Sequence, residues 1–185
     1  MRKSNELKTA GFLICSGIIF FIVSMVVAEA LYPGYNISNN YVSDLGVGPS
    51  ASIFNFAIVL LGVLLVSGAY FYSKGIKGKI LPAFIVLAGA GAIGVGVFNE
   101  NFGSIHVLFS FVAFLFGGVA ALYFAATEKS LIRYPSAALG IAGLSALALF
   151  TANTYLGLGP GGMERMIIYP TLLWGILFSG KLFVD

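Results

Sequence analysis

Six apolar runs, each long enough to cross a bilayer, occupy most of this 185-residue chain. They extend over residues 7–31, 52–73, 80–98, 105–126, 136–155 and 163–184, with short polar segments between them. A helix needs ~20 predominantly apolar residues to traverse the hydrocarbon layer. The expected fold is therefore all-α, an integral membrane bundle of six transmembrane helices. Only 9% of the residues are charged, against about 25% in soluble domains. No soluble domain is expected, and residues 1–185 read as one transmembrane domain.

Charge sets the orientation. Arg2, Lys3, Lys8, Lys74, Lys77, Lys79, Lys129, Arg133 and Lys181 all fall on one side of a six-span layout, and only Arg165 falls on the other. Loops rich in Lys and Arg stay in the cytoplasm, so both termini are expected there, in the cell membrane. The same bias explains the net charge of +3 without nucleic acid. Ala28-Glu29-Ala30 has the form of a signal-peptide cleavage site, but the run before it exceeds the usual 7–15 residues. The first span is expected to be a retained helix. Cys15, the single cysteine, lies within that span; it is read as a small packing residue and excludes an intrachain disulfide.

The third run carries Ala88, Gly89, Ala90, Gly91, Ala92, Gly94 and Gly96. Small residues let helix backbones approach closely in lipid, which predicts a central position for this helix. In the sixth run, Pro170 interrupts the backbone ladder and predicts a kink. A weak internal repeat relates Tyr70-Phe71 and Pro82 to Tyr123-Phe124 and Pro135 at one interval, and also pairs Glu100 with Asn153. Duplicated helix hairpins explain such a pattern, as does chance in apolar sequence.

The polar residues that can do chemistry gather on the side opposite the termini. They include Glu29, Asn40, Ser43, Asp44, Asn99, Glu100, Asn101, His106, Asn153, Glu164, Arg165 and Tyr169. Ionisable groups near the bilayer are costly and need partners or water, so this face is the place to look for a pocket. His106, the only histidine, is a candidate general base, or a helix-end residue bonded to a loop carbonyl. Asp44 is its candidate orienting carboxylate, or a cap on the second span. Arg165, beside Glu164 and a Gly-rich turn, can fork an anionic group, or else pair with Asp44 or Glu100 to clamp loops. Ser43, Asn40, Asn99, Glu164, Arg165 and Tyr169 complete the expected ligand-binding set. Glu29 reads as a headgroup-level residue, and Asn36-Ile37-Ser38 fits a glycosylation triplet.

Ser43-x-Leu45-Gly46 after the first span, His106 opening the fourth, Gly161-Gly162-Met163-Glu164-Arg165 opening the sixth and Trp174 within it resemble the prokaryotic membrane family known as domain of unknown function 998. The resemblance covers nearly the whole chain and implies that Ser43, His106 and Arg165 are the positions to watch. Tyr41-Val42-Ser43-Asp44-Leu45-Gly46 is also similar to the first-loop signature of the eukaryotic Frag/DRAM/Sfk family, which includes a factor in lipid remodelling of GPI anchors.

These readings point first to a non-enzymatic or weakly enzymatic protein that binds a lipid headgroup, an anionic one being possible, or a small polar ligand in an extracytoplasmic pocket lined by Asp44, His106, Glu164 and Arg165. A lipid-modifying hydrolase or transferase using His106 and Asp44 is the second reading, and a small transporter the third. Membrane lipids are the expected partners, with a homo-oligomer possible. One histidine and one cysteine do not make a zinc or haem site. No metal or cofactor is expected.

Overall fold

The computed structural model describes residues 2–184; Met1 and Asp185, the ends of the expected domain, lie outside the described residues. The six apolar runs form helices α1 (Arg2–Ala30), α2 (Ala51–Gly75), α3 (Ile80–Val97), α4 (Ser104–Thr127), α5 (Arg133–Thr151) and α6 (Gly159–Val184), and no strand occurs among the described residues. All six are long and apolar enough to cross a membrane. Each packs on its neighbour in sequence, α6 closes back on α1, and α4 also touches α6 across the middle. The chain is therefore a closed ring of antiparallel staves, as short connections require. The start of α1 and the end of α6 lie at one end. The loops 31–50, 98–103 and 152–158 lie at the other, called here the distal end.

Each stave buries one stripe and exposes the rest. On α1 the buried residues are Ala10, Ile14, Ile18, Phe21, Met25 and Ala28, a spacing of three and four residues that keeps one helical face inward. Phe12, Ile19, Val23 and Val26 on the same helix face outward. Apolar exposure on this scale would make a soluble protein aggregate; on a membrane bundle it is the lipid-facing surface.

The small residues of α3 do permit close approach, but α3 is not central. A Cβ on Gly89 would stand 2.8 Å from the Gly62 carbonyl of α2, and one on Gly91 would meet the backbone of Ala113 on α4. Those contacts hold α3 between its two neighbours, whereas α6 is the most buried of the six helices. The helix ends also differ from expectation at one connection. α5 stops at Thr151 because Asn153 and Leu156 take positive φ angles of 53° and 50°, a region closed to helix continuation. α6 begins at Gly159, four residues before the expected span, because Pro160 suits a first helical turn that needs no N–H donor. The helix runs on through Pro170 without a break in assignment.

α2 and α4 begin at Ala51 and Ser104, and α3 and α5 at Ile80 and Arg133. Both displacements equal the interval from Tyr70 to Tyr123, and Pro82 and Pro135 each stand third in their helix. The helix boundaries thus follow the hairpin repeat seen in the sequence.

Candidate functional site

The first distal loop is built on its own side chains. Asn36 Oδ1 accepts from the Ser38 and Asn39 amides, each at 3.0 Å, and Asn40 Oδ1 accepts from the Asn36 amide at 3.0 Å. Asn40 Nδ2 and the Tyr41 amide both donate to Asp44 Oδ2, at 2.9 and 3.0 Å. These are the short-range bonds that Asn and Asp favour in turns. The carboxylate of Asp44 therefore holds loop backbone. It caps no helix: α2 starts after Ser50 without a side-chain cap, and Ser50 Oγ donates instead to the Leu45 carbonyl at 3.3 Å. Nor does it orient His106, whose ring bonds elsewhere.

Arg165 ties this loop to the bundle. Its Nη2 donates to Glu29 Oε1 at 2.5 Å and to the Tyr35 hydroxyl at 2.7 Å. Its Nη1 donates to the carbonyls of Ile37 and Gly161, both at 3.0 Å, and reaches Asn40 O at 3.5 Å. The guanidinium also lies over the Tyr35 ring, 5.5 Å from its centre. Only 4% of the Arg165 side chain is exposed, and its buried Nε has no hydrogen-bond partner among the described residues. The expected partners Asp44 and Glu100 are replaced by Glu29, which α1 presents because α6 closes on α1. Glu29, expected at headgroup level, pairs with Arg165. Tyr35 is pushed up to about 12, chiefly by burial, so it stays a phenol that donates to the Tyr41 carbonyl at 2.8 Å.

Glu164, the neighbour of Arg165, points the other way. Successive helix residues diverge by about 100°, and Glu164 enters a chamber of about 310 Å³ between the distal loops, α4, α5 and α6. Tyr41, Ser43, Glu100, His106 and Ser110 also line it. Glu164 Oε2 accepts from the Val42 amide at 2.5 Å. Glu100, in the short 3-10 turn Glu100–Phe102, is pushed up to about 7 by burial and by the facing Asp44 carboxyl, with which it shares a hydrogen bond. Two like charges this close cannot both ionise cheaply.

His106 is buried on α4 and held at both ring nitrogens. Nδ1 lies 2.9 Å from the Phe98 carbonyl and Nε2 lies 3.3 Å from Ser110 Oγ. A carbonyl only accepts, so Nδ1 carries the proton and the Nε2 lone pair faces the Ser110 hydroxyl. Of the two expectations for His106, the bond to a loop carbonyl is the one the structure contains.

Below the chamber lies an apolar lumen. A first cavity of about 90 Å³ is walled by α1, α2, α3, α4 and α6. A second of about 50 Å³ continues toward Trp174, Gly175 and Phe178 and shares Leu61, Leu65, Ala88, Thr171 and Leu172 with the first. Ser43, Ser110, Phe114 and Glu164 line both the first cavity and the polar chamber. The polar side chains of the series gather at its distal end, and the deepest cavity is lined almost wholly by apolar residues. On the side, Val107 and Phe111 line the chamber while 64% and 43% exposed on the outer surface, so the chamber borders the lipid-facing wall near α4.

Of the expected site residues, Ser43, His106 and Glu164 meet in the chamber, and Asp44 stands at its rim against Glu100. Asn40 lies in the first loop, and Arg165, on α6, bonds the backbone of that loop. Asn99 Oδ1 accepts from the Asn101 amide at 3.2 Å and caps the Glu100–Phe102 turn. Tyr169 is 39% exposed on the outer face of α6 and lines neither cavity. Sequence reasoning did not select Ser110, although its position four residues after His106 is the spacing that places two side chains on one helical face. Among the described residues, no three of His, Cys, Asp or Glu are grouped as a metal ion would need.

No curated protein and no solved structure matches the chain at a significant level. A family model described as a protein of unknown function, DUF998, matches residues 14–180. That span runs from α1 to the last turns of α6 and includes the whole chamber and lumen. The chain is a multi-pass membrane protein that belongs to the DUF998 family.

Proposed function

We propose that this protein binds a membrane amphiphile, holding its headgroup in the distal chamber and one hydrocarbon chain in the lumen. The observation that carries this reading is the shared wall: Ser43, Ser110, Phe114 and Glu164 belong to both the distal chamber and the mostly apolar cavity beneath it. Ligand sites are mostly apolar concavities with a few converging polar groups, and this one divides them along the axis of an amphiphile. The lipid-facing rim at Val107 and Phe111 gives such a molecule a route from the bilayer. The first loop's resemblance to a family that includes a lipid-remodelling factor is in keeping with this reading. By the charge bias of the loops, the chamber faces the extracytoplasmic side of the cell membrane.

The headgroup class follows from charge. Glu100 and Glu164 line the chamber and Asp44 stands beside Glu100, whereas among the described residues no Lys or Arg lines it. Arg165 is engaged by Glu29. An anionic headgroup would face carboxyl groups there, so a neutral or amine-bearing headgroup fits better than an anionic one.

Native mass spectrometry of protein extracted from its membranes tests this directly. The wild type is expected to retain a lipid. Ala88→Phe, which fills the lumen where its two cavities join, should lose that lipid while Tyr169→Phe keeps it. Retention of the same lipid by a folded Ala88→Phe variant would refute luminal binding. The sole tryptophan, Trp174, lines the deeper cavity. A brominated-chain phosphatidylethanolamine should therefore quench its fluorescence in the wild type and much less in Ala88→Phe.

A further inference from the structure

We infer that Ser110 and His106 form a nucleophile–base pair that cleaves an acyl ester of the bound amphiphile. This rests on the binding reading above and adds a reaction to it. In an ester lipid, the carbonyl lies where chain meets headgroup. In this protein the corresponding place is the wall common to lumen and chamber, and Ser110 stands in it. The Ser110 hydroxyl points its oxygen at His106 Nε2 from 3.3 Å, and the Phe98 carbonyl holds Nδ1 from 2.9 Å. A nucleophile, a base and a third group that orients the base are the parts that activate a serine. Distances slightly beyond 3.2 Å are ordinary before substrate arrives. Here the orienting group is a backbone carbonyl rather than a carboxylate, so it fixes the tautomer but gives the imidazolium weaker support.

The chemistry balances with water as the only co-reactant. Ser110 Oγ bonds to the ester carbonyl carbon as its proton passes to His106 Nε2. Collapse of the tetrahedral intermediate breaks the bond to the headgroup oxygen, which leaves as an alcohol carrying the His106 proton. Water then gives a proton to Nε2 and its hydroxyl attacks the acyl-serine. The carboxylic acid departs as the proton returns to Ser110. Ester and water become acid and alcohol. Ser43, which lines the same shared wall and whose hydroxyl makes no hydrogen bond within the described residues, is the donor available to the developing oxyanion.

The test is labelling of native membranes with a long-chain alkyl fluorophosphonate, followed by peptide mass analysis. Modification is expected at Ser110, absent in Ser110→Ala, and slowed by about 100-fold or more in His106→Gln, the usual range for loss of a general base. Ser43→Ala should label more slowly while remaining folded. Fatty acid release from phosphatidylethanolamine vesicles should follow the same order. Native mass spectra of the same samples report folding and bound lipid. Unlabelled Ser110 in a folded, lipid-binding wild type would overturn the catalytic assignment and leave binding intact. Loss of lipid binding in the wild type and Ala88→Phe alike would instead remove the binding reading. Equal labelling of wild type and His106→Gln would overturn the pairing with His106.

Discussion

Arg165 and Glu29 form a buried ion pair across 136 residues, joining the start of α6 to the end of α1. The pair closes the ring of helices at the distal end and, through Tyr35, Ile37 and Asn40, seats the first loop. Removing one member of a buried pair leaves the other charge uncompensated, at about 3 kcal/mol or more. Arg165→Ala should therefore lower the melting temperature in detergent more than any other single change at this end. Glu29→Gln keeps an acceptor for Nη2 and should cost less. Additive effects of the two substitutions in a double-mutant cycle would show that they do not act as a pair.

Gly161 is required for a steric reason. A Cβ there would collide with the carbonyl oxygens of Asn40 and Ile37, and its own amide donates to Ser38 O at 2.9 Å. Gly161→Ala should push the loop away from α6 and destabilise by about 1–3 kcal/mol, as overpacking usually does. Gly180, in the same helix, has open space where its Cβ would go. Gly180→Ala should be neutral or stabilising by up to ~1 kcal/mol, from helix propensity alone. Thermal denaturation of the two variants side by side reads the difference, and equal shifts would dismiss the steric account.

Glu100 gives the distal end a pH dependence with a definite sign. Burial and the Asp44 carboxyl raise it from 4.5 to about 7, so between those values the folded protein holds a proton that the unfolded chain has released. Stability from this group is full below pH 4.5 and is lost as pH rises to about 7. Glu100→Gln removes the titration. The difference in melting temperature, wild type minus variant, should fall across that window and level off above it. A difference independent of pH would show that Glu100 titrates normally.

The spans were legible because hydrophobicity reports depth, and six apolar runs separated by polar turns leave few alternatives. Azimuth is a different matter. Glu29 stands at the right depth for a headgroup residue, and only the closure of α6 on α1 turns it toward Arg165. Asp44 and His106 share a depth as well, but the carboxylate is held by Asn40 and the Tyr41 amide, and the ring by Phe98. Ser110 was hidden by its setting, since one hydroxyl in an apolar run reads as part of the run. Its relation to His106 was present in the spacing and gained meaning only once both lined a chamber. The lumen had no signature in the sequence, because an enclosed apolar wall and a packed apolar core have the same composition.

Orientation in the membrane is the most direct prediction from charge. Every Lys and Arg except Arg165 belongs to the termini end or its loops. Arg165 does not weaken this bias, because it is buried against Glu29 rather than free in a loop. Inverting the bundle would require translocating nearly all the basic residues, which the insertion machinery resists. In a Cys15→Ser background, Leu156→Cys places a thiol in the distal loop at a position 70% exposed, and Lys77→Cys places one in an exposed turn at the termini end. A membrane-impermeant maleimide should label Leu156→Cys in intact cells and Lys77→Cys only after permeabilisation. The reverse pattern would put the chamber on the cytoplasmic side. The amphiphile it holds would then be drawn from the inner leaflet.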